Sequence, residues 1–266
     1  MNACNSWEVG RDPREVASEL RAVAPLVVVR EPLELVGPCT LVTNGARTVA
    51  LSSAELLRHA GEPLAIALTH DGSRTVRVAS WSMGRIAGVG IAELAEPLPK
   101  TGIDVVPLQL ASVSATVDTR GAPSALVTFV RDGAKLARRV VAVHVDAIDA
   151  GPMGDDAITR LASPDDAADV DVPVDGASLF SWMPADPVLG RGSEVVMVAL
   201  GVTYRQKTFQ PRANPAIAEL VGLEDLGRAL PWEAAHEEEG NELGQVAGEI
   251  RDDGSGPLAG LDLEPD

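Results

Sequence analysis

From Pro25 onward the chain alternates short apolar runs with turn signals. P-L-V-V-V-R (residues 25–30) is followed by T-L-V-T ahead of Asn44-Gly45, then by T-V-A-L (48–51), L-A-I-A-L-T (64–69) and T-V-R-V-A-S-W. The runs flanking H-D-G-S, residues 64–69 and 74–80, read as a hairpin, because Asp71-Gly72 supplies the positive φ a tight turn requires. A second set follows a break near residues 107–120: A-L-V-T-F-V (125–130), the turn R-D-G-A, L-A-R-R-V-V-A-V-H-V (136–145) and S-E-V-V-M-V-A-L-G-V (193–202). Many short strands without long alternating helices predict an all-β chain closed into a barrel or a pair of barrels.

Two stretches carry helical spacing instead. Asp12 is placed to cap a helix with Pro13 at its first position, and Val16, Leu20 and Val23 recur on one face until Pro25 ends it. The run N-P-A-I-A-E-L-V-G-L-E-D-L-G-R-A-L, from Asn214, reads as a second amphipathic helix that packs on the second barrel.

Composition sharpens this picture. With 266 residues there is length for one large β domain or for two small barrels sharing an interface, and aromatics at 3% leave the core to Val, Leu, Ile and Ala. Of the net charge of −17, residues 233–266 carry −10, with eleven Asp or Glu against one Arg. That tail has too few large apolar residues to repay the entropy of ordering, so it is expected to stay unfolded, as an acidic interaction arm or a mere extension. No basic patch is available to neutralise phosphates, which argues against nucleic acid as a partner. No run approaches the length of a membrane span, and the N-terminus lacks the basic and apolar regions of a secretory signal, so the expected location is cytoplasmic, away from the membrane. Cys4 and Cys39 have neither disulfide-framework nor zinc-site spacing, and Cys39 in G-P-C-T-L-V reads as a small buried hydrophobe entering a strand. No cofactor or metal is implied.

Several of these segments fall in the order of a known family. V-P-V-D-G-A-S-L-F, from Val172, resembles the nucleophile loop of trypsin-fold proteases, N-P-G-N-S-G-G-P-L-F, and aligning the shared L-F ending sets Asp175 at the catalytic Ser. T-V-A-L-S-S-A-E-L-L (48–57) is similar to the histidine loop of trypsin-fold and HtrA-like proteases, G-x-I-L-T-N-A-H-V-V, with Glu55 at the His. A-G-V-G-I-A-E-L (87–94) resembles the aspartate strand T-D-L-A-V-L-K-L, with Gly88 at the Asp. Residues 106–129 follow the family's next segment in order, and S-P-D-D-A-A-D-V-D echoes Q-T-D-A-A-I-N, so the resemblance covers roughly residues 25–205.

The resemblance implies two six-stranded barrels, about residues 25–110 and 116–210, after an N-terminal extension (1–24). The C-terminal helix completes a domain of 25–232, and the acidic tail begins at 233. It also implies that Glu55, Gly88 and Asp175 replace base, orienter and nucleophile, leaving a pseudoprotease. A carboxylate cannot stand in for the Ser hydroxyl in acyl transfer. The function expected is protein or peptide binding, as a scaffold or regulatory subunit that can use the old groove by strand addition. The alternatives are a purely structural subunit and an active hydrolase using His59, Asp104 and Ser178 in the family's chain order. The loops bearing Glu55 and Asp175 are expected to converge between the barrels. Of the other histidines, His70 falls in the hairpin turn, His236 in the tail and His144 within an alternating strand.

Overall fold

In a computed structural model, the described residues are 18–59, 63–84, 88–109, 122–133, 135–150, 157–162, 174–183, 194–202 and 217–222. The start of the expected N-terminal helix, residues 12–17, lies outside them, and of the remainder up to Pro25 only the first turn is helical. Residues 18–20 are helical, and the chain turns as the Arg21 N–H donates to Ser18 O at 3.2 Å and the Ala22 N–H to Glu19 O at 3.1 Å. Strand β1 (Val23–Val28) then begins two residues before Pro25, which was expected to end the helix; Pro25 sits inside the strand, opposite Pro38 of β2 (Glu34–Thr43).

The other elements of the first half are β3 (Thr48–Ser53), α1 (Ala54–His59), β4 (Leu64–Ala67), β5 (Thr75–Met83), β6 (Val89–Leu94) and β7 (Leu108–Gln109). They form a seven-stranded sheet in the order β1-β4-β5-β6-β3-β2-β7, in which β1 also pairs with β2. All pairings are antiparallel except β2 with β7. The hairpin expected around Asp71-Gly72 joins β4 to β5, with Gly72 at φ 70°. The Asp71 carboxylate accepts from the Ser73 N–H at 3.0 Å and from its hydroxyl at 2.7 Å; the backbone bond leads in holding its pKa down to about 2.

The second half contains β8 (Ser124–Asp132), β9 (Lys135–Ala150), β10 (Ala157–Ala162), β11 (Ser178–Met183), β12 (Glu194–Leu200) and β13 (Ile217–Gly222). These six antiparallel strands close into a barrel in the order β10-β13-β12-β11-β8-β9. The segment from Asn214 is therefore not the expected helix over its described part: Ile217–Gly222 is a strand, registered with β10 along its whole length and with β12 at Gly222 and Val221. Ile217, Leu220 and Val221 have the spacing of a helical face, and the wall between β10 and β12 overrides it. Counted from its first strand, each half follows one pairing order: first, second, third, sixth, fifth, fourth and back to the first.

Alternation along the strands sorts the core into layers. Ala24, Leu26, Cys39, Leu41, Ala50, Ile66 and Ala92 form one buried cluster in the first half, and Leu126, Val143, Val145, Leu179 and Ala199 form another in the barrel. Between the halves lies a third cluster, in which Val23, Val27 and Ala65 meet Val127, Phe129, Phe180 and Trp182. Cys39 is fully buried in β2, its thiol donates to Ala24 O at 3.4 Å, and burial pushes its pKa up to about 12 from 9.0. Because the folded thiol holds its proton more tightly than the unfolded one, its contribution to stability is complete below about pH 9 and is lost as pH rises toward about 12. In a Cys4→Ser chain we expect no reaction of Cys39 with an aromatic disulfide reagent until urea unfolds the protein; rapid labelling of the native chain would contradict this burial.

Candidate functional site

Helix α1 is short, and its position is fixed from both ends. Ser53 Oγ accepts the Glu55 N–H at 3.2 Å, as a helix cap does, and the Ala54 N–H donates to Gly88 O at 2.8 Å. Gly88 lies at φ 82°, a conformation that suits glycine. A Cβ at Gly90 would come within 2.5 Å of Leu57 Cδ1 and 3.0 Å of Ala54 Cα, so the helix rests directly on the start of β6. Glu55 is partly exposed on the first turn and pairs with Arg58 at 3.0 Å.

The turn before β11 reaches the same helix. Gly176, at φ 75°, approaches so closely that a Cβ there would lie 2.7 Å from Leu56 Cδ1, 2.7 Å from Pro38 O and 2.9 Å from Ser52 Oγ. Ser52 Oγ itself donates to Pro38 O at 2.8 Å. Leu56 is thus held between Gly176 and Gly37, whose own Cβ would fall 2.6 Å from Leu56 Cδ1. The three positions singled out by the triad alignment consequently gather at α1: Glu55 is on it, Gly88 is bonded to its first residue, and Asp175 precedes the glycine that touches Leu56. Asp175 is half-buried in this turn.

The turn's own N–H groups are directed inward. The Gly176 N–H donates to Gly201 O at 2.8 Å, the Ala177 N–H to Val174 O at 2.9 Å, and the Gly201 N–H to Ala177 O at 2.8 Å. Ser178 is fully buried on the face of β11 that meets the first half, and its hydroxyl is hydrogen-bonded to that of Thr40 in β2. Nothing in the sequence pairs Thr40 with Ser178 across 138 positions; only the packing of β2 on β11 brings them together. Asp104 belongs to a different neighbourhood. Its carboxylate accepts the His70 backbone N–H at 2.9 Å, with His70 Nε2 at 3.9 Å. His59 ends α1; His144 lies in β9 and His236 outside the described residues.

Among the described residues no group of three or more His, Cys, Asp or Glu could hold a metal ion, and no helix is long and apolar enough to cross a membrane. No protein-family model matches the sequence, and no curated protein matches it.

Proposed function

We propose that the chain is a trypsin-like double-barrel domain without catalytic residues, and that it works by binding an extended peptide segment of a partner protein. The observation that carries this reading is the shared strand order of the two halves, together with the meeting of the Glu55, Gly88 and Asp175 segments at α1. The additional β1–β2 pairing lets the first half be read as a six-strand ring like the second, which the resemblance implies.

Chemistry disfavours hydrolysis at this place. In the trypsin pattern the oxyanion is held by the N–H of the nucleophile and the N–H two residues before it, and here that second position is Pro173, which has no N–H. A carboxylate at 175 adds negative charge where an oxyanion must form. Ser178, the alternative nucleophile, faces Thr40 in the buried layer between the halves.

A binding role needs an accessible strand edge. β12 registers with β13 only at Ala199 and Leu200, so Glu194–Val198 has no paired strand on that side among the described residues. An incoming chain can add to that stretch through backbone hydrogen bonds. Fluorophosphonate probes should leave the protein unlabelled, and peptidase turnover should stay at background. Peptides selected on the full-length chain from a displayed random library should slow amide exchange across residues 194–198. Labelling that disappears in Ser178→Ala would overturn the inactive reading; selected peptides that leave 194–198 unprotected would overturn the edge.

A further inference from the structure

Of the five asparagines in the sequence, Asn44 is the one followed by glycine. The pair lies in the turn from β2 to β3, whose last register partners are Thr43 and Thr48. That turn is tied down from within. Asn44 Oδ1 accepts the Ala46 N–H at 3.1 Å and the Arg47 N–H at 2.9 Å, and the Asn44 N–H donates to Arg47 O at 3.2 Å. The Thr43 hydroxyl accepts the Gly45 N–H at 3.1 Å and donates to Arg47 O at 2.8 Å. Arg47 is held in place through its guanidinium, which pairs with Glu93. Gly45 itself is exposed, at φ 91°.

These bonds bear on a reaction to which an asparagine before glycine is open, because no Cβ shields the glycine nitrogen. That nitrogen loses its proton to solvent base and attacks Asn44 Cγ. The bond from Cγ to the amide nitrogen breaks, ammonia leaves with a proton from water, and a five-membered imide remains. Water then opens the imide at Cγ, giving aspartate, or at the main-chain carbonyl, giving isoaspartate. In the closed turn the attacking nitrogen is engaged by Thr43, and the carboxamide is anchored over Ala46 and Arg47. Closing the ring takes the nitrogen from Thr43 and swings the carboxamide off both donors. The β4–β5 turn is chemically different: Asp71 carries a carboxylate that Ser73 keeps ionised, and it resists such attack.

We propose that Asn44 is a deamidation site kept silent by the closed β2–β3 turn, so that opening of this hairpin exposes it to an irreversible change. Aspartate at 44 can accept the same two N–H groups. Isoaspartate adds one carbon to the main chain beyond Thr43, and the Thr43–Thr48 closure no longer fits. The altered chain thus keeps a covalent record of having opened. This chemistry is independent of the peptide edge at β12 and of any triad assignment.

The test follows the loss of the Asn44 amide by peptide mass spectrometry in warm, mildly alkaline buffer. The full-length protein is compared with a synthetic peptide of residues 40–49. The folded protein should react at least ~10-fold more slowly than the peptide. Thr43→Val should react about fivefold faster than wild type, the effect of one lost hydrogen bond, and Thr43→Ser, which restores the hydroxyl, should return the wild-type rate. A folded protein that reacts as fast as the peptide, or a Thr43→Val rate equal to wild type, overturns the proposal. Should Thr43→Val not fold, wild type in sub-denaturing urea decides: deamidation should rise in step with amide exchange at Ala46 and Arg47, and a rate unmoved while those amides open overturns the gating.

Discussion

Gly176→Ala should destabilise the protein by about 3 kcal/mol, read as a lower urea midpoint at unchanged slope. A left-handed backbone at a residue with a side chain costs about 1–2 kcal/mol, and an extra methyl forced into a packed site costs a further 1–3 kcal/mol or so. Both apply at φ 75°, where the new Cβ would lie 2.7 Å from Pro38 O. Leu56 can swing aside, but a backbone carbonyl inside β2 cannot move without disturbing the β1–β2 ladder. The damage should also separate the turn from Ser52 and leave the Pro38 carbonyl partly uncovered. A loss below about 1 kcal/mol would mean that the turn stands off from β2 and that its contact with α1 is loose.

Phe180→Ala should cost about 3–5 kcal/mol, the range for deleting a large buried aromatic. Phe180 is fully buried in the cluster that joins the two halves, which also holds Trp182 and Phe129. Because residues of both halves form that cluster, tryptophan fluorescence and far-ultraviolet circular dichroism should lose stability together. Unfolding midpoints that part by probe, with the first half unaffected, would show that Phe180 serves the barrel alone.

These two residues also mark how far the sequence could be read. The L-F pair at Leu179 and Phe180 was visible as part of a motif, but its division between the barrel interior and the inter-sheet layer follows from strand alternation, which needs the register first. Local signals served well wherever a turn residue dictated geometry, as at Gly72 and at Gly133, with φ 60°, between β8 and β9. They failed where a segment's partner was remote. Ile217, Leu220 and Val221 carry helical spacing, and β10 and β12 on either side select the strand against it. The start of β1 was misjudged for a related reason: Pro25 cannot donate to a ladder, yet it is tolerated opposite Pro38. Around α1 the positions 55, 88 and 175 were named from motifs, whereas Pro38, which meets Gly176, and Thr40, which meets Ser178, lie outside every motif quoted.

The strand order of the barrel has a consequence for synthesis. β13 is the last described strand, and it bridges β10 and β12, which both precede it. Until translation passes Gly222 those two strands have no common neighbour, and the wall stays open between them. A nascent chain stalled anywhere short of that residue therefore offers two unsatisfied edges to other chains emerging nearby. This six-residue strand acts as a latch whose arrival at the mouth of the ribosome sets the earliest moment at which the barrel can shut.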